Sequence, residues 1–245
     1  MPQPLVERRY LNRLSAAPEP TGAVVVIDVL RSFSTAAWAI HRGARELYPV
    51  AAPGDGLLLL QHLPQALLVG AVGGGAPIPG YHYGNSPSAV QGVQLQGRTL
   101  IHCTAAGVRG LSRYRMAPLL FGAALLNARA TAAVILAAGV PRVTLVITGE
   151  WTDRDGDEDV ACADYLEALL QGGDPSPEAF SERVRQSDFG RRFAAGDQLH
   201  LPPADLDLCA EADRFDFALQ ALPSPLGLRL VPVYAGGGTM GKSRS

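Results

Sequence analysis

Short apolar runs alternate along the chain with stretches in which apolar residues recur every three or four positions. Ala23–Ile27, AVVVI, is continuous and β-branched, the pattern of a strand buried on both faces as in a parallel sheet. Beyond Asp28, residues 32–44 place Phe33, Ala36, Ala37 and Ile40 on one helical face, with Ser32 as the capping residue and Gly43 near the stop. Further strands are predicted at 46–50, 66–70, 98–103, 118–122, 142–148 and 228–233, and helices at 56–63 and 123–138. About seven strands alternating with helices predict an α/β protein with a mainly parallel sheet covered by helices. Segment 172–203 carries GGDPSP and a charged helix at Pro177–Gln186 with little apolar periodicity, and is expected as a peripheral excursion from a single domain spanning 1–235. Residues 236–245 are expected as a frayed tail.

Composition narrows the class further. With 47% hydrophobic and 18% charged residues the chain has the balance of a globular protein, not a disordered one. A net charge of −2 with dispersed Lys and Arg provides no footprint for tracking a nucleic-acid backbone. No run approaches the roughly 18 apolar residues a bilayer span needs, and no apolar core follows the basic start, so a cytoplasmic protein without a membrane partner is expected. Cys103, Cys162 and Cys209 are too dispersed for a disulfide framework or a zinc knuckle. Each reads as core, with a nucleophile at a strand end as the alternative for Cys103.

Several positions carry candidate chemistry. Residues 236–243 match the spacing of a P-loop, but that loop works through the N-terminus of a following helix, and only two residues follow Ser243. Asp28 ends the first buried strand, where an acid either caps the next helix, pairs with Arg31, or takes part in a reaction. Segment 150–159 holds Glu150, Asp153, Asp155, Asp157, Glu158 and Asp159. Two readings stand side by side: a divalent cation that relieves the repulsion through hard oxygen ligands, or acids favoured by the N-terminal dipole of a helix running from near Asp157 to Leu170. The loop at 73–88 is long enough to be functional. Within it Ser86 and Pro87 read as N-cap and first helical residue, so Asn85, Ser86 and the N–H groups behind them either hold an anion or belong to a plain structural loop. His82 reads as a phosphate contact, a proton donor, or neither.

VVIDVLRSFST at 25–35, GYHYGNSP at 80–87, NARA at 127–130, ITGEWTDRDGDED at 147–159 and DLDLCAEADRFDFALQALP at 205–223 together resemble, in order and separation, the 2-phosphosulfolactate phosphatase family. The resemblance implies a three-layer α/β/α fold, oligomeric assembly of identical chains, and Mg²⁺-dependent removal of phosphate from 2-phospho-3-sulfolactate on the route to coenzyme M. Position by position it carries over to Asp28, Arg31, Gly84, Asn85, Ser86, Glu158 and Asp159, and the segment at 205–223 is expected as the closing helix. On this basis Asp28, with Glu158 or Asp159, is expected to hold Mg²⁺, and Arg31 to clamp a phosphate or sulfonate. Asp28 serves either as nucleophile or as holder of a metal-bound water. Ser32, Ser34, Thr35, Gly84, Asn85 and Ser86 are expected to contact substrate. Two stretches depart from the family: Val72, Gly73, Gly74 and Gly75 stand where it has Glu-Arg-Gly-Gly, and Ala105, Ala106, Gly107 and Val108 where it has Thr-Asn-Gly-Thr. These losses leave open a second reading, a relative that binds an anionic metabolite or a partner without turnover.

Overall fold

The computed structural model describes residues 3–13, 21–72, 75–151 and 154–236. The chain runs β1 (Leu5–Tyr10), β2 (Ala23–Ile27), α1 (Ser32–His41), β3 (Glu46–Val50), α2 (Pro53–His62), β4 (Leu67–Val72), β5 (Ala76–Pro77), α3 (Pro87–Gln91) and β6 (Thr99–Cys103). It continues through α4 (Ala106–Arg113), β7 (Leu119–Ala123), α5 (Ala128–Ala138), β8 (Arg142–Ile147), α6 (Asp157–Leu170), α7 (Pro177–Gln186), α8 (Asp188–Ala195), α9 (Pro203–Cys209), β9 (Ala218–Ser224) and β10 (Gly227–Val233).

The ten strands form one sheet in the order β1-β8-β2-β7-β9-β10-β3-β6-β4-β5. Two parallel blocks, β1-β8-β2-β7 and β3-β6-β4, are joined through the antiparallel hairpin β9-β10, and β5 adds antiparallel to β4. Helices cover both faces, the expected three-layer arrangement. The reason is visible in β2, whose side chains are all buried: Val25 and Ile27 pack with Ile135 of α5 and Leu166 of α6, while Val24 and Val26 pack with Phe33 and Ala37 of α1. Period-two alternation thus feeds two separate cores from one continuous apolar run.

Strand by strand, β2 and β6 lie five steps apart, roughly 24 Å on a flat sheet. Their ends nevertheless meet, since the segment after β2 hydrogen-bonds the segment after β6. The sheet therefore curls between the two blocks instead of lying flat, so that those ends share one corner.

Some expected elements differ. β1, β5 and β9 lie outside the predicted strands, β5 within the expected loop at 73–88, and α4 occupies a stretch with no helix predicted. The segment at 205–223 is not one helix: α9 ends at Cys209, and ALQALPS becomes β9, paired with β7 and β10. The same apolar spacing suits either state, and only the open strand edges of β7 and β10 select the extended one. α5 starts at Ala128 and not at 123, because Ala123 is the last residue of β7. Of the stretch expected as a frayed tail, 237–245 lies outside the described residues, as does nearly all of the P-loop match.

Candidate active site

Asp28 is the first residue past β2 and is 7% exposed. Its Oδ1 accepts the Ser32 N–H at 3.0 Å and its Oδ2 accepts the Gly107 N–H at 2.9 Å. The N-cap position of α1 is Arg31 and not Ser32, which is already helical, donates its N–H to the Asp28 carboxylate and pairs its hydroxyl with Thr104 Oγ1 at 2.8 Å. Gly107 must be glycine here: a Cβ would sit 3.0 Å from Asp28 Oδ2 and 2.9 Å from Ser32 Oγ. Burial pushes the Asp28 carboxyl up, partly offset by the Ser32 N–H, Arg154, the Gly107 N–H and Arg31.

Glu158 and Asp159 lie in the first turn of α6 and are both 1% exposed. Asp159 Oδ1 accepts the Val29 N–H at 2.8 Å, and Oδ2 accepts from Thr148 N at 3.1 Å, Thr148 Oγ1 at 3.2 Å and Gly149 N at 2.7 Å. It thereby ties the loop after β2 to the loop after β8. Glu158 Oε2 is buried with no hydrogen-bond partner among the described residues. Burial first, then the adjacent Asp159, pushes the Glu158 carboxyl up to about 8; burial and Asp28 push Asp159 up. Gly149 lets both acids approach the backbone, since its Cβ would lie 2.7 Å from Glu158 Oε1 and 3.1 Å from Asp159 Oδ2.

Arg31 is buried and paired with Asp205 at 2.6 Å. Asp205 Oδ1 also accepts from Ser86 Oγ at 2.8 Å, Ser88 N at 2.9 Å and Ser88 Oγ at 2.6 Å. Ser86 does cap α3, accepting from Ala89 N, with Pro87 first in the helix. The anion at that helix start is thus a carboxylate of the chain itself. Asn85 is 9% exposed, and its Oδ1 lies 3.0 Å from His102 Nε2. Burial pushes His102 down to about 4, so the neutral ring donates Nε2–H to Asn85 Oδ1 and leaves the Asn85 NH₂ available. His82 Nδ1 accepts the Leu68 N–H at 2.9 Å, a tie to β4.

Above Asp28 lies a cavity of about 500 Å³. Asp28, Arg31, Asn85, Thr104, Ala105 and Ala106 line the side formed by the strand ends. Trp151, Arg154, Phe189, Arg192 and Leu201 line the cavity as well, so residues from the 172–203 segment form part of its wall. Of the expected site residues, Asp28, Arg31 and Asn85 line the cavity. Ser34 Oγ instead donates to Val29 O at 2.6 Å inside the protein, Thr35 is buried, and Gly84, Ser86, Glu158 and Asp159 stand behind the lining. Sequence reasoning missed Arg154, Arg192, His102 and Asp205; a single arginine inside the acidic run at 150–159 was the one available signal.

For a divalent cation the donor chemistry fits, with all-oxygen ligands and an orphaned buried carboxylate oxygen on Glu158. Among the described residues, no three His, Cys, Asp or Glu side chains are already gathered as a ligand set.

Cavity and fold together define an α/β protein of the open, twisted-sheet class with a site at its strand ends. The family model for 2-phosphosulpholactate phosphatase matches residues 11–221, and the chain belongs to that family. It is 40% identical over 151 residues to a probable 2-phosphosulfolactate phosphatase of Parasynechococcus marenigrum, covering 61% of this chain and 62% of that protein. A second, from Carboxydothermus hydrogenoformans, is 38% identical over 162 residues, 66% of this chain and 65% of the relative. A third, from Prochlorococcus marinus, is 33% identical over 228 residues, 81% of this chain and 90% of the relative. The match thus spans less than two thirds of the length of the first two. No helix among the described residues is long and apolar enough to cross a membrane.

Proposed function

We propose that the protein hydrolyses a small, multiply charged phosphate monoester, 2-phosphosulfolactate or a near relative, with Mg²⁺. The observation that carries the reading is Asp28, fixed by two backbone N–H groups at a strand end, at the base of a cavity walled by arginines, in a chain of this family. Arg31, held in place by Asp205, neutralises a phosphoryl oxygen. The Asn85 amide, oriented by His102, donates to the ester. Each Asp28 oxygen already accepts an N–H, which favours Asp28 as ligand or base over direct attack. Asp28 and Glu158, through its orphaned Oε2, would hold Mg²⁺, while Asp159 positions the two loops. When bound, the cation supplies charge neutralisation on the transferring group.

A second reading, ligand binding without turnover, has one observation in its favour: Val72, Ala105 and Ala106 present apolar side chains to the cavity. The test is phosphate release from 2-phosphosulfolactate, 2-phospholactate and ethyl phosphate, with and without Mg²⁺, by wild type and Asp28→Asn. Release that requires both Mg²⁺ and Asp28 is expected. Silence from folded wild type on all three esters would move the assignment to the binding reading.

A further inference from the structure

The middle of a ten-stranded sheet is normally its best-covered part, yet β10, sixth in the order, has one buried residue of seven, Leu230. By comparison β2 and β6 are buried throughout. Leu230 and its partner Leu47 on β3 face the core built around α1. On the other face of the same strands, Val231 stands opposite Gln220 and Arg229 opposite Leu222. Arg229 Nη1 donates to Glu46 Oε2 at 3.0 Å, which places Glu46 and, two residues on, Tyr48 on that face as well. Leu222 and Val231 are half-buried and belong to none of the three apolar cores.

On one side of this strip stands α5, against β7 and β9; on the other stands α2, whose Leu59 and Leu60 pack with Tyr48. The strip is thus the floor of a groove between two helices. It includes a recess of about 510 Å³ lined by Arg45, Glu46, Tyr48, Pro223 and Arg229, which shares no lining residue with the cavity above Asp28. An antiparallel hairpin can keep one face in water, but that face then carries polar side chains, whereas here Leu222, Val231 and Tyr48 interrupt Gln220, Arg229 and Glu46.

The helix α2 is the matching ridge. Of its ten residues only Gly56 is buried, and Leu57 and Leu58 are 50% and 61% exposed. Adjacent exposed leucines beside a groove floored by Leu222 and Val231 make a surface complementary to itself, so that a twofold axis can set the α2 of each copy into the groove of the other. The charges match as well. Arg45 and Arg229 share one carboxylate, Glu46, which leaves the groove with an excess positive charge, and α2 carries the exposed Asp55 in its first turn.

We propose that this face is the interaction surface for a second copy of the chain, in a closed twofold dimer. Leu57 and Leu58 of one copy fill the groove of the other, and Asp55 meets Arg45 and Arg229 across the interface. The proposal does not rest on the phosphatase reading, since it uses none of the residues around Asp28.

The test is sedimentation velocity of the full chain at roughly 0.1–100 μM, where interfaces of ordinary size are populated. Wild type is compared with the double variant Leu57→Glu, Leu58→Glu, with Asp55→Lys, and with Met116→Glu as a control at a residue 80% exposed outside the groove. Near-UV circular dichroism establishes that each variant folds, and Asp55→Lys, at an exposed position, carries the test if the leucine pair fails that check. Wild type is expected to be a dimer, the leucine variant a monomer throughout, Asp55→Lys a dimer with its dissociation constant raised about tenfold or more, and Met116→Glu unchanged. A wild type that is monomeric across the range would overturn the proposal and give the groove to an occupant other than this chain. An oligomer left intact by the leucine pair, one weakened equally by Met116→Glu, or one as tight in Asp55→Lys as in wild type would overturn it too.

Discussion

Replacing Asp205 by Ala breaks the contact on which both Arg31 and the start of α3 depend. The Arg31 and Asp205 side chains are 4% and 0% exposed, so the pair is fully desolvated. Removing one partner of such a pair costs about 3–5 kcal/mol, because the other charge is left buried and uncompensated. Three donors to the carboxylate are stranded as well, but the Ser86 and Ser88 hydroxyls lie 3.1 Å apart and can pair with each other. That leaves the Ser88 N–H, worth about 1–3 kcal/mol if it stays dry. Arg31 borders the cavity, so water reaches part of the damage, and a loss near 4 kcal/mol is expected out of the roughly 5–15 kcal/mol that holds a domain together. Urea unfolding followed by the fluorescence of Trp38 and Trp151 measures it, with an unchanged slope marking intact compactness. The double variant Arg31→Met with Asp205→Leu removes both charges and should recover more than half of the loss. A cost below 1 kcal/mol for Asp205→Ala, or a double variant as damaged as the two single changes summed, would refute the argument that desolvated pairing holds this corner.

Two further outcomes follow from the site. Gly107→Ala places a methyl 2.9–3.1 Å from Ser32 Oγ, Asp28 Oδ2 and the Phe33 ring, so a shift of the Asp28 carboxylate should cut kcat/KM at least tenfold at a stability cost of about 1–3 kcal/mol; wild-type turnover would show that Asp28 does not act from this position. His102 stays neutral down to about 4 in the folded chain against an ordinary value near 6.5, so the unfolded chain binds the extra proton first as pH falls. Its contribution is present above about 6.5 and is lost progressively towards 4, amounting to about 3 kcal/mol; urea midpoints for wild type should fall more steeply across that window than those of His102→Gln, and parallel curves would contradict the assignment.

Much of the fold was legible in local pattern. The continuous run of β2, the exact span of β3, and the helices after them were readable because a strand buried on both faces and a helix with an apolar stripe leave different spacings. The unread strands show where that signal ends. LVERRY in β1 sets three consecutive charged residues in a strand at a sheet edge and so lacks a period-two pattern, and ALQALPS in β9 suits helix or strand equally until β7 and β10 offer it partners. For the site, Asp28 was legible as an acid ending a buried strand, and Glu158 and Asp159 as acids opening a helix. Their different fates were not: one carboxylate saturated by backbone donors, the other with an oxygen left unpaired.

The sequence alone determined the α/β class, the position of Asp28 at a strand end and the family, because these depend on residue type and on spacing within a single element. Tertiary structure decided that Asp205, 174 positions beyond Arg31, would fill the anion site at α3, and that Arg154, Phe189 and Arg192 would line one cavity with Asp28. The physical reason is that burial, desolvation and the pairing of charges are properties of what a side chain meets, and the sheet shape that brings distant strand ends to one corner is written in no single segment of the chain.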